Sequence, residues 1–211
     1  MQIYYLDEVD STQLYLKDAI FQKKLIPPCG VVANMQSAGV GSRQNSWLGK
    51  RGNLFLSFAI ALDELPDDLK LESASIYFAY ILKDTLATFG SSVWLKWPND
   101  FYIADKKIGG MITNLVGSVL VCGVGINTSS EVLDFAKLDI SLDREALLDG
   151  YFENIKNHNS WKQVFSKYRL EFYKNQNFFT HSDSLKISLD NAFLDEDGSI
   201  VVDGKRIYSL R

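Results

Sequence analysis

The chain has 211 residues, 46% hydrophobic and 23% charged, which is enough to bury a sizeable core and excludes a disordered tail or a low-complexity fibre. Its 22 Lys and Arg against 26 Asp and Glu give a formal charge of -4, so there is no global attraction to a phosphate backbone and bulk nucleic-acid binding is disfavoured. Cys29 and Cys122 stand far apart, outside any paired motif, which argues against a disulfide framework or a cysteine zinc site and suits a cytoplasmic chain.

The first residues turn acidic at Asp7-Glu8 and lack the basic-then-apolar order of a secretory signal. Residues 3–6 predict a short strand, and Asp10-Ser11-Thr12-Gln13 reads as a capping box that opens a helix to about Lys24, closed by Pro27-Pro28. A buried strand follows over 30–35, then a polar, glycine-bearing loop over 36–52 whose apolar side chains are few beyond Trp47 and Leu48. Loops of that length are usually functional or disordered. A strong strand over 53–62 precedes a helix over 67–89, apolar on most faces and therefore packed on a sheet. The sheet resumes at 93–96, breaks at the Trp97-Pro98-Asn99-Asp100 turn, and continues through a hairpin at Lys106-Lys107. Residues 108–130 carry no charge, yet Thr113, Asn114 and scattered glycines make them too polar for a membrane span. They read as two buried strands joined at Val116-Gly117-Ser118. Residues 143–177 are helical in pattern, and short strands over 185–189, 199–202 and 206–210 suggest a small β appendage with Asp197-Gly198 and Asp203-Gly204 turns.

Gly39-Val40-Gly41 invites comparison with nucleotide-binding loops, but Gln44 stands where a dinucleotide fingerprint or a P-loop needs glycine, and Arg51 where a P-loop needs Ser or Thr. Gly123-Val124-Gly125 likewise meets Thr128 in place of a third glycine. What remains around 39–47 is either an ordinary surface loop or one that offers backbone N–H groups to an anion, with Arg43 and Trp47 beside it. His158 and His181 lie in polar C-terminal context, where solvated side chains are the simpler reading, and no triad can be assembled from them. The Lys96-Trp97-Pro98-Asn99-Asp100 turn places a cation, an amide and a carboxylate at a strand end; the bland alternative is a capped turn.

Taken in order, Ser11-Thr12-Gln13, Gln36 to Arg43 with Trp47, Gly52-Asn53-Leu54-Phe55-Leu56-Ser57, Lys96 to Asp100, Asp105 to Gly110 and Gly123-Val124-Gly125-Ile126-Asn127 resemble biotin protein ligase, closely over residues 1–130 and loosely in the tail. The resemblance implies an α+β fold: a mixed, mostly antiparallel sheet with helices packed on it, like class II aminoacyl-tRNA synthetases. It divides the chain into a catalytic domain over 1–178 and a truncated SH3-like β appendage over 179–211. The activity implied is ATP- and Mg2+-dependent activation of biotin as biotinoyl-5'-AMP, followed by transfer to a lysine of the biotin carboxyl carrier domain of a carboxylase. Ser11, Thr12, Gln13 and Gln36 would meet the ureido ring through hydroxyls, an amide and free helix N–H groups. Gly39, Val40, Gly41 and Ser42 would line biotin within a lid that closes over the intermediate. Lys107 would contact the carboxylate and α-phosphate, while Arg43, Trp47, Lys96, Asn99 and Asn127 would serve the nucleotide. Asn99 and Asp100 would also face magnesium carried in with ATP, without a fixed metal site, and Asp100 would orient the acceptor lysine.

The family's arginine-rich loop is reduced here to a single Arg43, displaced by one position; this departs from the family pattern, and Arg43 is expected to cover the phosphate instead. The chain starts at the catalytic strand with no room for a DNA-binding module ahead of it, so DNA is not an expected partner; no membrane partner is expected from the polarity of residues 108–130, and monomer and homodimer both remain open. Two other functions fit the same residues: a lipoate or octanoyl ligase or transferase, and a catalytically weakened biotin-binding module. The polar set at Ser11, Thr12, Gln13, Gln36 and Lys107 favours biotin, since a ureido ring uses polar partners that a dithiolane or alkyl chain does not.

Overall fold

The computed structural model describes residues 1–41, 46–47, 50–128, 136–157, 160–182 and 185–209. From the N-terminus the elements run β1 (Gln2–Val9), α1 (Thr12–Phe21), β2 (Cys29–Gln36), β3 (Gly39–Val40), β4 (Ser46–Trp47), β5 (Leu54–Ala61), α2 (Ala74–Thr88), β6 (Trp94–Lys96), β7 (Asp100–Ile103), β8 (Lys106–Val116) and β9 (Val119–Ile126). They continue through α3 (Arg144–Lys156), α4 (Trp161–Glu171), β10 (Phe179–Ser182), β11 (Leu185–Ser188), β12 (Phe193–Leu194), β13 (Ile200–Val202) and β14 (Lys205–Ile207). A seven-stranded sheet has the order β1-β2-β5-β9-β8-β7-β6, parallel only between β1 and β2, where α1 supplies the crossover.

The two-residue period of the central strands decides what lies on each face. Leu54, Leu56, Phe58 and Ile60 of β5, with Cys122, Val124 and Ile126 of β9, join the core beneath α2, α3 and α4. The opposite parity puts Ala59 and Val121 against Leu16 and Ile20 of α1. Because α1 is short, it covers only part of that second face, and the uncovered part is where the candidate site lies. Both cysteines are buried and free, and burial pushes their thiols above the ordinary range.

The mixed, mostly antiparallel fold agrees with expectation, but several boundaries move for identifiable reasons. Ser11, not Asp10, caps α1, with its hydroxyl accepting from the Leu14 amide at 3.4 Å. The predicted helix over 67–89 starts only at Ala74, because Lys70 is extended and a 3-10 turn over Leu71–Ser73 precedes the helix; Asp68, ahead of that turn, instead accepts from the amides of Trp161 and Lys162 at 2.8 and 3.0 Å at the start of α4. The helical stretch over 143–177 divides in two, since Asp143 caps α3 and Ser160 forms a capping box with Gln163 at α4. The tail adds a β10–β11 hairpin, and its Leu189, Leu194 and Ile200 enter the same core as the helices. Among the described residues no helix is long and apolar enough to cross a membrane.

Glu171, at the end of α4, ties the helical layer together. It accepts from Tyr80 Oη at 2.8 Å and pairs with Lys83 of α2 and, at 3.2 Å, with Lys174. Burial works to raise its pKa, but the hydrogen bonds from Lys83 and Tyr80 outweigh it and hold the carboxyl below its ordinary 4.5. The folded chain therefore binds fewer protons here than the unfolded one, so this contribution is intact above about pH 4.5 and is lost as the pH falls through the folded value. Thermal melts of the native chain and Glu171→Gln at pH 7 and at about pH 4 test this: the gap between the two proteins should narrow at the lower pH.

Candidate active site

On the face that α1 leaves open, a cavity of about 50 Å³ is lined by Ser11, Thr12, Gln13, Gln36, Val40, Gly41, Trp47, Ser57, Asn99, Asp100, Lys107, Gly110, Met111, Ile112, Gly123, Val124 and Gly125. Its upper wall is the start of α1, whose N–H groups have no partner within the helix. Gln36, from the end of β2, meets this need: its Oε1 accepts from the Thr12 amide at 2.7 Å and from the Thr12 hydroxyl at 2.9 Å. The Thr12 N–H expected to face a ligand is thus already taken. The Ser57 hydroxyl donates to Thr12 Oγ1 at 2.9 Å, completing a relay from Ser57 through Thr12 to Gln36. With its oxygen doubly engaged, Gln36 turns Nε2 the other way, toward Gly39, where a Cβ would come within 2.9 Å of it.

Gln13 is held in the opposite sense. Its Nε2 donates to Val121 O at 3.1 Å and Asn114 Oδ1 at 3.2 Å, which leaves Oε1 buried with no hydrogen-bond partner among the described residues. This geometry also corrects the capping-box expectation, in which Gln13 would serve its own helix. The same condition recurs at Asn99, whose Nδ2 donates to Met111 O while Oδ1 has no such partner, and at Trp47, whose Nε1 has none. Four buried side-chain atoms among the described residues lack a partner, and three of them belong to residues lining this one cavity. Buried polar atoms without partners are costly and rare, so their convergence marks a place built for a polar ligand.

The floor explains the glycine pairs that resembled nucleotide loops. On β9 the core-facing Cys122, Val124 and Ile126 alternate with Gly123 and Gly125 on the cavity side. A Cβ on Gly123 would lie 2.9 Å from Gln13 Cδ and nearer still to its Oε1; one on Gly125 would sit 3.0 Å from the Trp47 indole. Glycine is required here so that a side chain from α1 and an indole from β4 can lie flat on the strand.

The far end is charged. Asp100, 14% exposed at its side chain, pairs through one oxygen with Lys107 Nζ at 2.7 Å and through the other with Lys96 Nζ at 3.6 Å. Lys107 is 42% exposed at its side chain and lines the cavity, whereas Lys96, 8% exposed, stands behind Asp100 and does not. Asn127 is also set apart: it accepts from Asn53 at 3.2 Å and donates to Ala136 O at 3.4 Å. Ser42, Arg43 and His158 lie outside the described residues, and His181 is exposed on β10, away from the cavity lining. The structure therefore gathers Ser11, Thr12, Gln13, Gln36, Val40, Gly41, Trp47, Asn99, Asp100 and Lys107, with Gly39 packed against Gln36. It adds Ser57, Gly110, Gly123 and Gly125. Ser57 ends one of the motifs that carry the resemblance, but its role follows only from the register that sets it opposite Gly123.

Residues 5–129 match the model of the biotin/lipoate A/B protein ligase family. The "Bifunctional ligase/repressor BirA" of Salmonella typhimurium is 27% identical over 97% of this chain, which spans 64% of that protein's length, just under two thirds. A biotin acetyl coenzyme A carboxylase synthetase from Helicobacter pylori, solved with bound biotinylated ATP, superposes with a TM-score of 0.95 at 38% identity, covering 98% of this chain and 99% of that one. A biotin protein ligase from Aquifex aeolicus, in complex with biotin and ATP, shares the fold at 24% identity and a TM-score of 0.80, covering 98% and 94% of the two chains.

Proposed function

Because this chain belongs to the biotin/lipoate A/B protein ligase family, we propose that it activates biotin with ATP and transfers it to a lysine of a biotin carboxyl carrier domain. The observation that carries the reading is that three unpartnered buried polar atoms and a lysine–carboxylate pair belong to residues lining the same cavity. Gln13 Oε1 supplies an acceptor for a ureido N–H, and Gln36 Nε2 and the Ser11 cap lie beside it as polar partners of the ring. Glycines 39 and 41 and Val40 would flank the bicycle, with Trp47 closing over it. A lipoyl dithiolane would leave Gln13 Oε1 unpaired, so calorimetry with biotin and with lipoate separates the two substrates.

In the first half-reaction a biotin carboxylate oxygen attacks the α-phosphorus of ATP and pyrophosphate departs. The carboxylate is itself the nucleophile, so the protein need only position the reactants and offset charge. Lys107 sits at the open end of the cavity, where its ammonium would neutralise the α-phosphate as negative charge grows. Asn99 Oδ1 is available to the adenylate, and magnesium would arrive with the triphosphate. In the second half-reaction the acceptor amine attacks the acyl carbonyl and AMP leaves. Asp100, with one oxygen turned to each lysine, is the group placed to orient that amine and take its proton. Lys96 is proposed to serve the nucleotide indirectly, by fixing Asp100; Arg43 remains the proposed phosphate cover and Asn127 a nucleotide-side residue.

Incubating the protein with ATP, magnesium, biotin and a biotin carboxyl carrier domain, then weighing the carrier by mass spectrometry, tests the whole reading. One added biotinoyl group per carrier is expected. Tight biotin binding without added mass would instead support a binding module that has lost transfer.

A further inference from the structure

Trp97 opens the turn that delivers Asn99 and Asp100 to the cavity, and both of its polar hydrogens are taken by residues distant in the chain. Its backbone N–H donates to Asn175 Oδ1 and its indole Nε1 to Gly198 O, each at 2.8 Å. Trp97 is 1% exposed and Asn175 is fully buried, with Asn175 Nδ2 in turn donating to Phe172 O at 3.0 Å. Gly198 belongs to a tail turn whose consecutive carbonyls all point inward: Glu196 O accepts from the Trp161 indole at 2.8 Å, Asp197 O from Ser73 Oγ at 2.6 Å, and Gly198 O from Trp97. Arg206 braces this turn from outside through Asp195 and Asp197. Gly198 has a φ of +76°, and a Cβ there would come within 2.9 Å of Ile76, so the approach depends on glycine. From Trp97 the connection to the site is short, because Asn99 O accepts the Met111 amide at 3.0 Å, and both residues line the cavity.

We infer that Asn175 and the 195–198 turn are positioning elements for the active-site segment 97–100, so that ligand affinity depends on acceptors supplied from the C-terminal part of the chain. The inference deepens the proposed biotin reading and rests on it. Trp161 provides the matched control, since it donates an indole N–H to the same turn but from α4, away from the cavity.

Trp97→Phe and Trp161→Phe each remove one indole hydrogen bond to that turn, so both should lower the melting temperature. Only Trp97→Phe should weaken biotin binding by calorimetry, by about tenfold, and speed amide exchange at Met111 by a similar factor, with Trp161→Phe staying within about twofold of the parent. Equal effects of the two variants on binding and exchange, or no effect of either, would overturn the inference. If Trp97→Phe fails to fold, Asn175→Ala must show the same pattern, and unchanged affinity and Met111 exchange in that variant overturns it as well. Should the parent protein bind no biotin, the proposed function fails, while Met111 exchange still decides this inference.

Discussion

Lys107→Met should slow formation of the biotinyl adenylate by about 10²- to 10³-fold, the usual consequence of removing a positioned charge from the place where transition-state charge develops. The expectation follows from where the cation stands. Lys107 reaches the cavity from β8 on a side chain exposed enough to move, and its charge is balanced by Asp100 at 2.7 Å. An incoming carboxylate or phosphate can share that lysine without leaving Asp100 unpaired, because Lys96 remains on the other oxygen at 3.6 Å. For the same reason the variant should fold: a partly exposed ion pair contributes only about 1 kcal/mol or less. Single-turnover pyrophosphate release measures the rate. Lys106→Met, one residue earlier on the same strand and outside the cavity lining, is the control and should stay within about twofold. Equal rates in the two variants would show that positive charge at 107 has no part in activation.

Gly123→Ala should weaken biotin binding by about tenfold to hundredfold, or roughly 1.4–2.8 kcal/mol. One methyl group has this effect because Gln13 cannot retreat: its Nε2 is fixed by Val121 O and Asn114 Oδ1, and the new Cβ would press on Cδ and Oε1 of the same amide. Either Gln13 leaves the cavity, removing the acceptor proposed for the ureido ring, or β9 is pushed away from α1. Gly150→Ala calibrates the result, since that glycine lies within α3 and its Cβ would meet only ordinary contacts, with Thr85 at 3.5 Å. It should leave binding unchanged and raise stability by about 0.5–1 kcal/mol. Calorimetry on both variants, with melting curves alongside, makes the comparison.

What could be read in the sequence was whatever depends on local periodicity or on ordered motifs. The central strands announced themselves by continuous apolar runs, and the Lys96 to Asp100 turn stood out because proline, asparagine and aspartate punctuate an apolar stretch. What could not be read depends on pairing between distant residues. Whether Gln13 serves its own helix or β9 is settled by Asn114 and Val121, a hundred positions away, and nothing local to Asp68 shows that its carboxylate receives the first amides of α4. Lys96 and Lys107 look equivalent as cations in strand-turn context, yet the β7–β8 register brings one to the cavity and puts the other behind Asp100. Ser57 and Asn175, both uncharged and both without a motif that assigns them a role, acquire one only through the groups that fold beside them.

The glycine floor bears on how this pocket can be altered by mutation. A wall of side chains can be resized one residue at a time, but at Gly123 and Gly125 the cavity-facing surface of β9 is bare main chain, already as small as it can be. Selection for a bulkier or differently functionalised substrate therefore has no truncation to make there, and an added Cβ overlaps Gln13 at 123 and presses on Trp47 at 125. A saturation library along β9 should show tolerance alternating with a period of two, with conservative apolar exchange accepted at Val124 and replacement disfavoured at its glycine neighbours, most strongly at Gly123. New specificity would have to come from Gln13, Gln36, Ser57 and Asn99, and effort spent on the floor would be wasted.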